Sequence, residues 1–380
     1  MSTAERTAKN SGRTSSGFDI GKILLEGRAF FALLVIIIIF SLLSPNYFTV
    51  NNLLVMSQHV ATFAFLGIGM LLVILNGGID LSVGSTVGLS GVVAGYLLQG
   101  VHLPAFGVTL YPAVWVVVLC AVAVGALVGV INGVLVSKFG VAPFVATLGM
   151  LYVVRGAALL ITDGKTYPNL QGKESLGNTG FNHVGFDSYL GIPIGVLIMV
   201  VLAIIGSILL NKTSFGRWLY ASGGNERAAE LSGIPIKNVK ISVYVISGIC
   251  AAFAGVVIAS ELTSANPTTG DTFELTAIAT VVIGGASLMG GRGNIRGTLV
   301  GAFVIGFLSD GLVIIGVSEY WQMVFTGAVI VFAVMLNRVQ YRSKKAKSRQ
   351  TPTAGDLGAD PAGGEVDLER KEVGSSPSAG

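Results

Sequence analysis

Long apolar runs alternate with short polar stretches along almost the whole chain. Runs of roughly 17–25 apolar residues are long enough to cross a bilayer as helices. They recur near 28–44, 57–75, 81–98, 110–135, 141–162, 190–210, 240–260, 273–287, 297–316 and 320–337. The pattern predicts an all-α, polytopic membrane protein with about ten transmembrane helices. The second and eighth runs are weak, because polar residues and glycines interrupt them. Composition agrees with the pattern: 52% of residues are hydrophobic and only 12% charged, about half the charge of a soluble domain. The 52 glycines suit helices that approach one another closely. Cys120 and Cys250 both sit inside apolar runs with no disulfide or metal spacing, so they read as packing residues. The first run follows a basic segment without a convincing cleavage site and reads as a retained anchor.

Charge fixes the expected orientation. With the N-terminus placed in the cytoplasm and the runs alternating, all of the 24 basic residues except Arg155, Lys165 and Lys173 fall inside. That asymmetry is what the positive-inside rule requires, and it puts both termini in the cytoplasm. Three regions follow: a cytoplasmic segment 1–27, a transmembrane domain 28–340 and a cytoplasmic tail 341–380. The tail opens with the basic "RSKKAKSR" and then turns polar and rich in Gly, Pro and Ser, a composition that predicts disorder.

One inner stretch, 211–239, is polar yet carries the marks of structure. In "GRWLYASGGNERAAELSGIPIKN", Asn225 is a good N-cap, and Glu226 complements the helix dipole. Gly233 suits a left-handed C-terminal position and Pro235 prevents continuation. Ala228, Ala229 and Ser232 make a small-residue face, while Glu226, Arg227 and Glu230 could fix a register. The residues alone leave two readings open: a capped connector, or a knob that docks on a cytoplasmic partner.

Two glycine-rich turns flank this segment in the chain. In "NGGIDLSVGS" (76–85), Gly77 and Gly78 end one run, and Asp80 or Ser82 could cap the next. Gly284, Gly285, Leu288 and Gly291 repeat the spacing of Gly77, Gly78, Leu81 and Gly84. A tight capped turn and a break that lines a path both fit these residues. Polar residues inside or beside the runs are further path candidates: Asp80, Ser82, Asn132, Thr147 and Glu274, with Arg155 as an intramembrane charge. Arg155 and Glu274 fall near the outer edge, where pairing costs little. His59, His102 and His183 are isolated in the sequence, so no metal site or catalytic role is expected. "DGKT" at Asp163–Thr166 is no phosphate loop, since the required earlier glycine is Leu159. No nucleotide, metal or other cofactor site is expected on this chain, and nothing suggests nucleic acid.

Four stretches, taken together and in order, resemble the permease subunits of bacterial ABC importers for monosaccharides, the ribose-type family. They are "NGGIDLSVGS", "FVATLGMLYVVRG" (144–156), "GRWLYASGGNERAAELSGI" (216–234) and "GGASLMGGRGNIRGTLVGAF" (284–303), within a resemblance from about Asn46 to Asn337. The resemblance implies a transport subunit of the cytoplasmic membrane that is not itself an enzyme. ATP and Mg would be bound by a separate ATP-binding cassette ATPase, and an external sugar-binding protein would deliver the solute. A second permease copy, identical or closely related, would complete the pore. The resemblance assigns the ATPase-coupling role to the third stretch: Gly216, Arg217, Gly224, Asn225, Glu226, Arg227, Ala228, Ala229, Glu230, Ser232 and Gly233. Alternatives are the same architecture importing branched-chain amino acids or nucleosides, and an ion-coupled transporter working alone with Asp80 as its one candidate carboxylate. A membrane enzyme would need clustered nucleophiles, acids or metal ligands, which the sequence lacks.

Overall fold

The computed structural model describes residues 28–185, 187–318, 320–329, 331–332 and 335. The expected segments 1–27 and 341–380 lie outside the described residues. Helices run in the order α1 (Arg28–Leu43), α2 (Val50–Leu75), α3 (Val83–Gln99), α4 (Val114–Ser137), α5 (Pro143–Thr162) and α6 (Ile194–Lys212). Two short helices follow, α7 (Ser214–Gly224) and α8 (Glu226–Leu231). Then come α9 (Ile236–Glu261), α10 (Phe273–Ile283) and α11 (Ile295–Ile314), and residues 320–329 form α12. Two small antiparallel hairpins decorate the loops, Val101–Leu103 with Val108–Leu110, and Ser188–Tyr189 with Ile192–Pro193. Each expected apolar run therefore coincides with a helix. By length and composition, α2, α4, α5, α6, α9 and α11 can each cross a membrane, whereas α1, α3 and α10 are shorter.

The second run, weak in sequence, is the centre of the bundle. Its most apolar window is 83% buried, against 28% for α4, α5 and α6. Gln58 and Thr62 interrupt its hydrophobicity because they face protein rather than lipid. The helix also begins earlier than expected, at Val50, where the Thr49 hydroxyl accepts from the Asn52 amide. Against it packs α9, which also packs on α3 and α4. The α4–α9 crossing needs glycine on both sides. A Cβ on Gly248 would lie 2.1 Å from the Gly125 carbonyl oxygen, and one on Gly129 would lie 2.3 Å from the Tyr244 carbonyl. Gly125, Gly129 and Gly133 recur every four residues along one face of α4, the small-residue spacing that lets membrane helices touch backbone to backbone. Cys250 is buried in this core, while Cys120 is exposed; both are free thiols.

The eighth run departs furthest from expectation. Its helix, α10, has only 11 residues, roughly 16 Å of rise and too short to cross alone. The preceding loop supplies the rest. From Ala265 to Gly270 the chain runs back along α3, with Ala265 against Gly95, Pro267 and Thr269 against Gly88, and Gly270 against Gly84. Gly95 to Gly84 is again roughly 16 Å of helix. Irregular backbone packed within a bundle of membrane helices survives only if its polar groups find partners in the protein. Arg155 on α5 provides them: its guanidinium donates to the carbonyls of Pro267 and Thr269 and pairs with Asp271 at 2.6 Å. Arg155 therefore clamps this re-entrant segment, and it does so partly by pairing with Asp271, a carboxylate that is itself 66% exposed.

Candidate functional site

Four of the path candidates meet at the break between α2 and α3. Helix α2 ends in a left-handed Gly77 with φ 82°, the Gly77 and Gly78 amides donating back to the carbonyls of Ile74 and Val73. The chain then turns inward. The Asp80 Oδ1 accepts from the Ser82 amide at 3.0 Å and the Ser82 hydroxyl at 2.7 Å, and Oδ2 accepts from the Ser247 hydroxyl of α9 at 2.9 Å. Neither side chain caps α3: Ser82 holds the N-cap position without a side-chain cap, and Asp80 fixes Ser82 rather than the helix's first amides. The Ser82 hydroxyl instead accepts from Asn132 Nδ2 of α4 at 2.8 Å. Thr147 of α5 donates to the Ile79 carbonyl at 3.2 Å.

Asp80, Ser82, Asn132, Thr147 and Ser247 are all at most 2% exposed. They form a sealed polar seam that ties α3, α4, α5 and α9 to the break, and in this conformation they line no open passage. Two oxygens in the same region, Asn132 Oδ1 and the Tyr244 hydroxyl, have no hydrogen-bond partner among the described residues. Burying such groups is costly, so the seam holds polar capacity beyond what its closed form uses. No sequence period could have revealed Ser247 or Tyr244 as members, since both are ordinary positions on an apolar helix.

Glu274 does not join them. It is half-buried in the first turn of α10, near Arg155 and against Gly84. A cleft of about 610 Å³ opens beside this end of α10, between the re-entrant segment, α11 and α12. Thr272, Thr276, Ser309, Gln322 and Thr326 line it with hydroxyl and amide groups, and Phe63 and Phe273 line it with rings. Those two rings meet edge to face, 5.9 Å between centroids. Gly270, which also lines the cleft, touches Gly84 one helical turn from Asp80.

The polar segment forms two helices where the sequence suggested one. Helix α7 was not foreseen; Thr213 caps it, and Arg217 folds back onto the cap, donating to the Thr213 carbonyl and the Ser214 hydroxyl. Gly216 sits hard against the end of α6, where a Cβ would lie 2.0 Å from the Leu210 carbonyl oxygen. Helix α8 matches the expected one, with Asn225 Oδ1 accepting from the Ala228 amide at 3.0 Å and Gly233 at φ 81°. Ala229 departs from the expected outward face, being 5% exposed and turned into the protein, while Leu231 is 75% exposed. All three of the register charges are engaged within the segment or beside it: Glu226 binds Lys240 at 2.7 Å and Arg227 binds Glu230 at 2.8 Å. Gly224 closes α7 directly before the cap. His59 and His183 are not isolated in space, each meeting a carboxylate, Asp310 at 2.7 Å for His59 and Asp187 for His183. Among the described residues no three His, Cys, Asp or Glu side chains gather as metal ligands.

Six helices long and apolar enough to cross a membrane, a half-helix too short to do so and an internal polar seam are the features of a membrane transport subunit. Residues 52–334 match the family described as branched-chain amino acid transport system / permease component, and the chain belongs to that family. It is similar to the ribose import permease protein RbsC of Escherichia coli, 42% identical over 83% of this chain and 94% of the relative. The ribose import permease protein RbsC of Bacillus subtilis is 44% identical over 81% of this chain and 91% of its own length. The D-allose transport system permease protein AlsC of Escherichia coli is 38% identical, covering 82% and 90%. No solved structure matches the chain. The protein is a multi-pass permease of the bacterial inner membrane.

Proposed function

We propose that this chain is the membrane subunit of an ATP-driven importer for a monosaccharide, pentose or hexose, or a related polyol. A separate ATPase holding ATP and Mg would power it, and an external binding protein would feed it. Two permease copies, or this chain and a close paralogue, would frame the pore. The relatives that cover more than four-fifths of this chain and carry sugar names are the observation behind the reading. The cleft beside α10 supports it, because hydroxyl and amide groups with ring edges, and one carboxylate, Asp271, paired with Arg155, suit a hydroxyl-rich solute. In this reading the solute passes the cleft near Glu274, and the sealed seam of Asp80, Ser82, Asn132 and Thr147 is the closed gate beyond it. Helices α7 and α8, bounded by Gly216 and Gly233, form the surface on which the ATPase docks, with Leu231 and Glu230 outward. Basic residues at the same end, Lys138, Lys212, Lys237 and Arg296 among them, support placing that end and both termini in the cytoplasm.

The family description supports a second solute class, branched-chain amino acids. One experiment separates the readings. The tagged chain is purified gently from its native host, co-purifying proteins are identified by mass spectrometry, and the recovered complex is reconstituted for uptake of ribose, D-allose and leucine with and without ATP. ATP-dependent sugar uptake supports the proposal. Leucine preference would transfer the architecture to amino acids, and uptake by the chain alone without ATP would replace it with a secondary transporter.

A further inference from the structure

Three turns far apart in the chain meet at the inner surface of α7. They are the end of α2 at 75–78, the end of α7 at 220–224, and the loop 290–293 that leads into α11. Their contact is main chain on main chain. A Cβ on Gly223 would lie 1.7 Å from the Leu75 carbonyl oxygen and 2.7 Å from the Gly291 nitrogen; one on Gly290 would lie 2.7 Å from the Gly223 carbonyl oxygen. Gly290 and Gly291 both take left-handed φ, 86° and 68°, so that their loop can lie flat on the other two. Hydrogen bonds fasten the same three turns. The Gly291 amide donates to the Leu75 carbonyl at 2.9 Å, Asn76 Nδ2 donates to the Ser222 hydroxyl at 2.8 Å, and the Tyr220 hydroxyl donates to the Gly293 carbonyl at 2.7 Å. Burial raises the Tyr220 pKa, so the hydroxyl stays protonated and able to donate.

We propose that these turns form a rigid node that carries displacement of the docking segment to the Asp80 seam and to α11 together. The proposal rests on the reading of α7 and α8 as the ATPase docking surface. Its physical basis is the absence of soft matter at the contact. Side chains at an interface can absorb a small shift by changing rotamer, whereas close-packed backbone, here joined by the main-chain Gly291–Leu75 hydrogen bond, passes the strain on. Movement of Gly223 must therefore move Leu75, the last residue of α2. Asp80 lies five residues further on, and the α2–α3 break bends there. Gly223, Gly290 and Gly291 are positioning residues: they touch no solute, and act through the helices they join.

The test uses the reconstituted complex, with ATP hydrolysis, ATPase association and solute uptake all measured. Gly223→Ala is expected to keep the ATPase bound and hydrolysing while uptake per ATP falls about tenfold or more, within the usual range of a coupling free energy. A disulfide bridge between Asn76→Cys and Ser222→Cys is expected to leave uptake per ATP near wild type, because the node moves as one body. Unchanged uptake per ATP in Gly223→Ala, or a bridge that blocks uptake until reduced, would overturn the rigid node. If Gly223→Ala does not fold, the Tyr220→Phe, Ser222→Ala double variant removes only side-chain links and leaves the backbone contact in place, so its uptake per ATP should stay near wild type; a tenfold drop would overturn the proposal. Failure of the docking reading looks different: Glu230→Lys would then leave ATPase association intact.

Discussion

Replacing Asp80 tests whether the seam is a closed lock. Asp80→Ala removes the acceptor for the Ser82 amide, the Ser82 hydroxyl and the Ser247 hydroxyl, all at sites no more than 2% exposed. A buried donor left unpaired costs about 1–3 kcal/mol, although side-chain hydrogen bonds inside membrane proteins average nearer 0.6 kcal/mol because alternative partners are close. Ser247 has such an alternative in the carbonyl four residues earlier on α9, and the Ser82 amide has none so near. A loss of about 2–4 kcal/mol is therefore expected for Asp80→Ala. Asp80→Asn keeps Oδ1 and turns Oδ2 into a donor that the Ser247 hydroxyl can accept, so the expected loss is about 1 kcal/mol. Ser247→Ala breaks one bond and should match it. The assay is the thermal midpoint of the detergent-solubilised protein followed by size-exclusion fluorescence, read as a rank order because such unfolding is irreversible. Asp80→Ala should melt lowest, with Asp80→Asn and Ser247→Ala together and closer to wild type. An Asp80→Asn variant as damaged as Asp80→Ala would mean that the charge itself, not the acceptor geometry, holds the break, and the lock reading would fail.

Other substitutions probe separate joints of the fold. Gly248→Ala forces a methyl against the Gly125 carbonyl and should cost about 1–3 kcal/mol by overpacking, whereas Gly149→Ala, with no atom within 4 Å of the new Cβ, should be neutral or stabilising in the same melt. Arg155→Lys keeps the charge but loses the fork that reaches two carbonyls and Asp271 at once; hydrogen exchange across 262–272 should rise and uptake fall, and unchanged exchange would remove the clamp. Asn225→Ala deletes the cap of α8 at a cost of about 0.5–2 kcal/mol and should weaken ATPase association without lowering the amount of protein in the membrane.

How much of this was legible depends on whether the cause is local. The apolar runs and the caps are local, and helices fell where the runs lay, with Asn225 and Gly233 in the roles their chemistry implied. What failed was the inference from interruption to weakness. Gln58 and Thr62 looked like defects in a span, yet α2 is the most enclosed of the six helices long enough to cross, and a helix surrounded by protein need not be uniformly apolar. The internal repeat was seen one residue out of register. Gly77 corresponds in conformation to Gly285, both left-handed and each followed by the same pair of backward hydrogen bonds, rather than to Gly284. Glycine identity alone cannot distinguish the residue that needs positive φ from its neighbour.

The re-entrant segment and the three-turn node were invisible for a stronger reason. Both are made by backbone meeting backbone across large separations, and backbone carries no sequence signature beyond the small residues that permit the approach. Gly84, Gly88 and Gly95 along α3 were such a signal, marking where the re-entrant segment lies, while Gly91 between them meets Gly255 of α9, so spacing alone could not say which segment each glycine admits. The same holds for Gly223 and the pair Gly290–Gly291, whose identity as glycine permits a close contact without naming the partner. The two contacts also share a neighbour. The re-entrant segment presses on α3 at Gly84, and the node grips α2 at Leu75, so the short stretch containing Asp80 is held from both sides. If the proposed function holds, a seam placed there can be opened from the cleft or from the docking surface, so that solute arrival and ATP hydrolysis would bias one and the same gate.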